Sequence, residues 1–254
     1  MIITLPQVAS ELSKAASNFA IQYSVSVLTL DQKNRPNFIG SGVFIKYKDS
    51  CYCITASHVL SEMHNGIFVG KDGMVPLNGI AKRTRQNEKD LADVAYWKVD
   101  EDFPSQINAN VVDQKMFVGR REFQNSLHCV CGYPGSKNKL GKAIEVDKKK
   151  ISSYCLTFST AEAEIDFSLY KKKHKDVHVA LWYETALHES GKRNTPPSPA
   201  GMSGAPTWVA NSGYEVNSFY LEGILIEYHK SPEKVVFCTK ISHVSGFIDD
   251  TNKA

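Results

Sequence analysis

Pro199-Ala200-Gly201-Met202-Ser203-Gly204-Ala205-Pro206 is the stretch on which the reading of this chain turns. A serine between two glycines, closed by a proline, suits a tight non-helical turn. Glycine takes backbone conformations closed to other residues, and proline lacks the amide a helix would need. With no Cβ on Gly201 or Gly204, a carbonyl group can approach Ser203 closely. The amides of Gly201 and Ser203 then point at one spot, where each donor to an oxyanion contributes about 3–4 kcal/mol.

Two upstream segments give that turn its meaning. In Cys53-Ile54-Thr55-Ala56-Ser57-His58-Val59-Leu60, an apolar, β-branched strand ends in small residues and presents a histidine. In Leu91-Ala92-Asp93-Val94-Ala95-Tyr96-Trp97-Lys98-Val99, an aspartate enters an otherwise apolar strand. Burying an unpaired acid there costs several kcal/mol, so Asp93 calls for a partner. Asp90 is the nearest alternative acid, but it follows Arg85-Gln86-Asn87-Glu88-Lys89, which reads as exposed loop. His58, Asp93 and Ser203 thus follow one another in one of the three known chain orders of the serine triad.

These segments resemble the motifs of the chymotrypsin-like (trypsin-fold) serine peptidases, closest to the bacterial, disulfide-free branch with the HtrA-type enzymes. Gly40-Ser41-Gly42-Val43-Phe44-Ile45 resembles the family's glycine-rich first strand. Thr55-Ala56-Ser57-His58 resembles its histidine motif, Asp93-Val94-Ala95 its aspartate motif, and Gly201-Met202-Ser203-Gly204-Ala205-Pro206 its serine motif. The match runs from about Asn37 to Gly246. Met202 stands where zymogen-activated members carry an aspartate that pairs with a new N-terminus, so that switch is absent. Ala205 replaces the usual glycine.

The resemblance implies an all-β fold of two packed antiparallel six-stranded β-barrels, with an N-terminal helix and a short C-terminal helix. It implies one peptidase domain over 1–254: helix and first strand to residue 36, first barrel over about 37–120, second over about 121–250. It further implies a serine endopeptidase working through an acyl-enzyme, with His58, Asp93 and Ser203 as triad and Gly201 and Ser203 as oxyanion hole. Pro197, in the lead-in Asn194-Thr195-Pro196-Pro197-Ser198-Pro199, falls where trypsin-like members carry an aspartate in the specificity pocket. A preference for a small or apolar side chain, rather than Lys or Arg, follows. Ile224, Leu225 and Ile226 supply the facing apolar wall, which also suits pairing with an extended peptide.

Composition sets the outer limits. The 254 residues are 42% hydrophobic and 22% charged, with a net charge of +3; that is ordinary globular composition and too little charge to support nucleic-acid binding. Lys148-Lys149-Lys150 and Lys171-Lys172-Lys173-His174-Lys175 read as solvated loops, with too few aromatics between them for base stacking. Six cysteines include Cys51-Tyr52-Cys53 and Cys129-Val130-Cys131. Such i,i+2 pairs share a strand face and are badly placed to bond to each other. They read as buried free thiols of a reducing compartment; a zinc site from the two pairs is the alternative, with spacing unlike that of structural zinc sites. Met1 to Pro6 carries no leader pattern, no span suits a membrane, and a cytoplasmic location is expected. No metal and no cofactor are expected.

Apolar spacing through Val8, Leu12, Ala15, Ala16 and Phe19 predicts a helix over 7–20 packed on the domain surface. Ile21 to Leu30 reads as a strand. Further strands are expected at 38–47, 51–56, 67–70, 94–99, 127–132, 151–159, 177–183, 206–210, 220–228 and 234–239. The resemblance implies a short closing helix over Ser242 to Asp249.

Two other functions compete. Gly-Met-Ser-Gly-Ala approaches the esterase elbow, but that elbow needs a strand before the serine and a helix after it, and here a proline-rich loop and Ala205-Pro206 flank it. The second is a latent or inactive trypsin-fold module that binds a partner or is activated by a partner protein, as in bacterial stress or defence systems. The intact triad speaks for the enzyme, with a protein or peptide as substrate.

Overall fold

Alternating and β-branched apolar residues turn most of the chain into strands, arranged in two large sheets. In the computed structural model the described residues are 5–71, 73–84, 91–119, 126–138, 144–145, 150–151, 153–183, 186–187, 193–194, 198–210 and 218–253. The first sheet holds β1 (Ser24–Leu30), β2 (Pro36–Tyr47), β3 (Ser50–Ala56), β4 (Asn65–Gly70), β5 (Met74–Pro76), β6 (Lys82–Arg83), β7 (Val94–Val99) and β8 (Val111–Asp113). Its antiparallel order is β5-β4-β1-β2-β3-β7-β6, with β8 parallel to β2.

The second sheet holds β9 (His128–Gly132), β12 (Leu156–Thr160), β13 (His178–Trp182), β14 (Ala186–Leu187), β15 (Arg193–Asn194), β16 (Pro206–Ala210), β17 (Phe219–His229) and β18 (Val235–Lys240). Between β9 and β12, β10 (Ile144–Glu145) and β11 (Lys150–Ile151) pair as a separate hairpin. The order β13-β18-β17-β16-β9-β12 closes on itself. The chain leaving β12 meets β13 through a Glu162–Leu181 bridge, and the Ala163 amide donates to Ala180 O at 2.7 Å. Six strands therefore form a closed barrel, extended by β14 and β15.

Most long apolar strands fall where the sequence predicts them, within a few residues; the strand expected over 151–159 begins only at Leu156, since Ile151 pairs instead with Ile144 in the separate hairpin. Val25, Phe44, Ile54, Val94 and Val112 are fully buried in the first unit. Val130, Phe158, Leu181, Leu225 and Val236 are buried in the second. The short strands β5, β6 and β8 went unread, since two or three residues carry no period. β1 begins at Ser24 rather than Ile21, because the amides of Ile21, Gln22 and Tyr23 turn back to carbonyls of the preceding helix. All six cysteines are free thiols, and all but Cys155 are buried.

Two helices strap the barrels together crosswise. Helix α1 (Leu5–Ala20) precedes the first sheet but packs on the second. Phe19 meets Trp208 edge-on at 4.9 Å and Phe219 at 4.8 Å, and Ser13 Oγ donates to Ser159 Oγ at 2.9 Å. Helix α2 (Ile241–Asn252) follows the second sheet but reaches the first: Phe247 meets Tyr96, Tyr47 donates to Asp249, and Asn252 donates to the Tyr52 hydroxyl. Phe19→Ala removes a half-buried ring from that aromatic cluster. Scaled down from the cost of a fully buried Phe, about 2–3 kcal/mol of stability is expected to go. Urea unfolding measures it, and a change under about 0.5 kcal/mol would show that α1 is not an integral strap.

Candidate active site

His58 stands where β3 ends and the 3-10 turn Ser57–Glu62 begins. Asp93 precedes β7 with a left-handed backbone, φ +50°. Its carboxylate grips His58 at two points. Oδ1 accepts the His58 amide at 3.0 Å, and Oδ2 meets Nδ1 at 2.7 Å. The Asp93 carbonyl also accepts the Ser57 amide at 3.0 Å. A carboxylate on Nδ1 fixes the proton there and leaves Nε2 as the acceptor of the neutral ring. Burial disfavours the charged imidazolium, but the hydrogen bond and charge of Asp93 outweigh it, helped by Glu62 and Glu227. The His58 pKa is therefore raised above the ordinary 6.5.

The serine turn is built from both barrels. Gly201 and Gly204 each sit at φ +89°. A Cβ on Gly204 would run into Ser41 O and Thr55 Oγ1, so only glycine lets the turn lie against β2 and β3. Within the second barrel, the Gly204 amide donates to Leu225 O at 2.7 Å and the Leu225 amide to Ala205 O at 2.8 Å. Met202 is fully buried in the core of that barrel, worth about 2–3 kcal/mol by transfer. Apolar burial thus anchors the turn at Met202. Ala205 is likewise fully buried, its methyl close against Gly132.

Ser41, fully buried, ties the turn to the first sheet. Its amide donates to Ser203 O at 2.8 Å, its hydroxyl to Gly201 O at 3.2 Å, and its own Oγ accepts the Tyr133 amide at 2.9 Å. Thr55 Oγ1 donates to Ser41 O at 2.7 Å. The Ala200 carbonyl accepts the Gly135 amide at 2.8 Å. In a trans peptide the carbonyl and the next N–H point opposite ways, so this bond turns the Gly201 N–H away from Gly135. Among the described residues the Gly201 and Ser203 amides donate no hydrogen bond.

These bonds bring the three segments named from the sequence to one place. Gly40 of β2 has Val59, next to His58, on one side and the Ser203 carbonyl on the other; a Cβ there would lie 2.8 Å from Val59 and 3.0 Å from Ser203 O. His58 and Asp93 are joined directly. Among the described residues no hydrogen bond joins Ser203 Oγ to the His58 ring. Such bonds are often long before substrate binds.

Ile224, Leu225 and Ile226 are fully buried side chains of β17. Leu225 serves the turn through its backbone, and Ile226 falls at a break in the β17–β18 register between Leu225 and Glu227. Glu227, half exposed, contacts Lys173 Nζ at 2.5 Å and His229 Nε2 at 3.0 Å. Pro197 and Asp90 lie outside the described residues. Among the described residues, no group of three His, Cys, Asp or Glu side chains is disposed to hold a metal, and no helix is long and apolar enough to cross a membrane. Of the remaining histidines, His128 is buried against Glu222 at 2.8 Å and His178 is buried between strands.

Sequence reasoning missed Ser41 and Gly135 as parts of this site. Ser41 lay inside a motif read only for its glycines. Gly132-Tyr133-Pro134-Gly135 carries a turn signal, but nothing local says that it faces Ala200.

Comparison with solved structures supports the fold. The chain resembles an inactive serine-to-alanine form of Rv3671c from M. tuberculosis H37Rv, with TM-score 0.53 and 13% identity over 96% of this chain and 94% of that one. It resembles a chain from a structure on the coupled folding and binding of the Sesbania mosaic virus VPg protein, with TM-score 0.51 and 15% identity over 88% and 89%. It also resembles the serine endoprotease from Yersinia pestis, with TM-score 0.50 and 16% identity over 94% of this chain and 65% of that one. The fold is that of the chymotrypsin-like serine proteases, two packed β-barrels. These neighbours are viral and bacterial, and they do not single out the HtrA-type branch. No protein-family model and no curated protein matches the chain.

Gly204→Ala and Gly246→Ala test the turn as a pair. The first forces alanine into a left-handed turn against Ser41 and Thr55, and is expected to lower stability by at least about 2 kcal/mol. The second has open space around it in helix α2 and is expected to raise stability by about 0.5–1 kcal/mol. Thermal unfolding reads both; a neutral Gly204→Ala would contradict the tight packing of the turn.

Proposed function

We propose that this chain is a serine endopeptidase of the two-barrel class, acting on protein or peptide substrates. The observation that carries the reading is the two-point grip of Asp93 on His58, together with a serine turn whose Gly201 and Ser203 amides donate no hydrogen bond among the described residues. The Ser203 Oγ attacks the scissile carbonyl carbon and its proton passes to His58 Nε2. The Gly201 and Ser203 amides hold the tetrahedral oxyanion. The C–N bond then breaks, His58 returns the proton to the leaving amine, and Ser203 is left as an ester. Water, deprotonated by His58, attacks that ester and releases the carboxylic acid with Ser203 restored.

Substrate positioning follows from the same reading. The β17 side chains at Ile224, Leu225 and Ile226 are spent on the core, so β17 contributes its main chain, paired with an extended peptide. Pro197 offers no acid to a basic side chain, and a small or apolar residue at the cleavage site fits. Free thiols suit a reducing compartment, in keeping with a cytoplasmic protein. The alternative reading is a latent module that a partner protein activates.

Labelling with a fluorophosphonate decides between them. The wild type is expected to label and Ser203→Ala is not; a folded, unlabelled wild type favours the latent module. The labelling rate requires neutral His58. It is therefore expected to fall as pH drops through a pKa above 6.5. Asp93→Asn is expected to cost about 10⁴ in rate and, with the carboxylate charge gone, to move that midpoint to lower pH. A silent Asp93→Asn beside a crippled Asp90→Asn would reassign the acid.

A further inference from the structure

The grip on His58 is made from a left-handed backbone. At φ +50° Asp93 lies in a region uncommon for residues other than glycine, though open to aspartate more than to most, and its neighbours on both sides hold it there. The first barrel imposes it from one side, where Ser57 donates to the Asp93 carbonyl. On the other side, the two carbonyls before Asp93 are both taken by the second barrel. His178 Nε2 meets Leu91 O at 2.8 Å, and Thr239 Oγ1 donates to Ala92 O at 2.5 Å.

The two donors form a matched set. His178 on β13 and Thr239 on β18 stand directly opposite one another in the antiparallel register. Directly opposed residues share a sheet face with Cβ atoms about 4.5–5.5 Å apart, the right scale to meet consecutive carbonyls of a passing chain. Leu91 O can only accept, so its contact puts a proton on His178 Nε2; in the neutral ring Nδ1 then accepts the His174 amide at 3.0 Å, with the His174 carbonyl 3.2 Å away. Burial, with the nearby charges of Lys173 and His243, pushes its pKa down to about 4, so the ring stays neutral near neutral pH.

We infer that the cross-strand pair His178–Thr239 is a positioning clamp for the acid–base pair. By fixing the Leu91 and Ala92 carbonyls it sets the backbone of Asp93, and through Asp93 the orientation and basicity of His58. The clamp rests on the reading of His58 and Asp93 as catalytic partners. It gives the second barrel a hold on the base as well as on the nucleophile.

The test is the NMR titration of the His58 ring in full-length protein, with kinetics on a peptide substrate. Thr239→Val deletes the donor and keeps the shape. Its His58 pKa is expected to fall towards 6.5, and kcat to fall roughly tenfold to a hundredfold with KM unchanged. The other carboxylates that face His58, Glu62 and Glu227, are untouched, so the shift reports on Asp93. Thr239→Ser, which keeps the hydroxyl, is expected to restore both readouts, and His178→Ala to act in the direction of valine. If Thr239→Val does not fold, Thr239→Ala removes the same hydroxyl without added bulk. A folded variant lacking the hydroxyl with a wild-type His58 titration overturns the clamp, as does a Thr239→Ser that behaves like valine. A wild type that resists fluorophosphonate while its His58 pKa still responds to Thr239 removes the peptidase reading and leaves the clamp standing.

Discussion

Ser41 is the point on which the two barrels agree. One buried residue of β2 holds the carbonyls of Gly201 and Ser203 and accepts the Tyr133 amide, and its own carbonyl accepts Thr55. Each is a polar group withdrawn from water, and leaving any unpaired costs about 1–3 kcal/mol. The serine turn therefore cannot drift from the first barrel without several such costs at once. That gives the junction between the two barrels, whose apolar residues share one cluster, a fixed geometry.

The helices enforce the same agreement from outside. Helix α1 comes before the first sheet and seals the second, while α2 comes after the second sheet and clasps the first. The exchange is aromatic at one end, through Phe19, Trp208 and Phe219. It is mixed at the other, through Phe247, Tyr47 and Asp249. Crossed straps bury apolar area that neither barrel covers alone, so separating the barrels also exposes the helices' inner faces.

Within that frame the electrostatics are local. Asp93 spends both carboxylate oxygens on His58, raising the basicity of a ring that burial would otherwise hold neutral. Glu227, at the exposed end of β17, adds to that field while tied to Lys173 and His229. His128 and Glu222 form a second buried pair elsewhere in the second barrel. The anchoring of the serine turn, by contrast, is apolar: Met202 enters the core.

Much of this was legible from residues alone because it depends on short-range preferences. Strand period placed most of the long strands to within a few residues, apolar spacing gave the N-terminal helix, and the resemblance gave the C-terminal one. The order His58, Asp93, Ser203, each at the end of an apolar run or in a glycine turn, marked the candidate site. What the sequence did not reveal lies between residues far apart in the chain. Ser41 looked like a spacer between glycines, and His178 and Thr239 like ordinary residues of the strands expected over 177–183 and 234–239. Cys131 and Cys155 looked unrelated, yet their sulfurs lie 3.1 Å apart. Local sequence sets which backbone conformations are cheap, and so it determined the strands, the turn and the order of the motifs. Which side chain meets which carbonyl depends on how the two barrels dock. Only the tertiary structure decided that, because such hydrogen bonds are won by geometry across 87 to 202 residues of chain and leave no periodic trace along it.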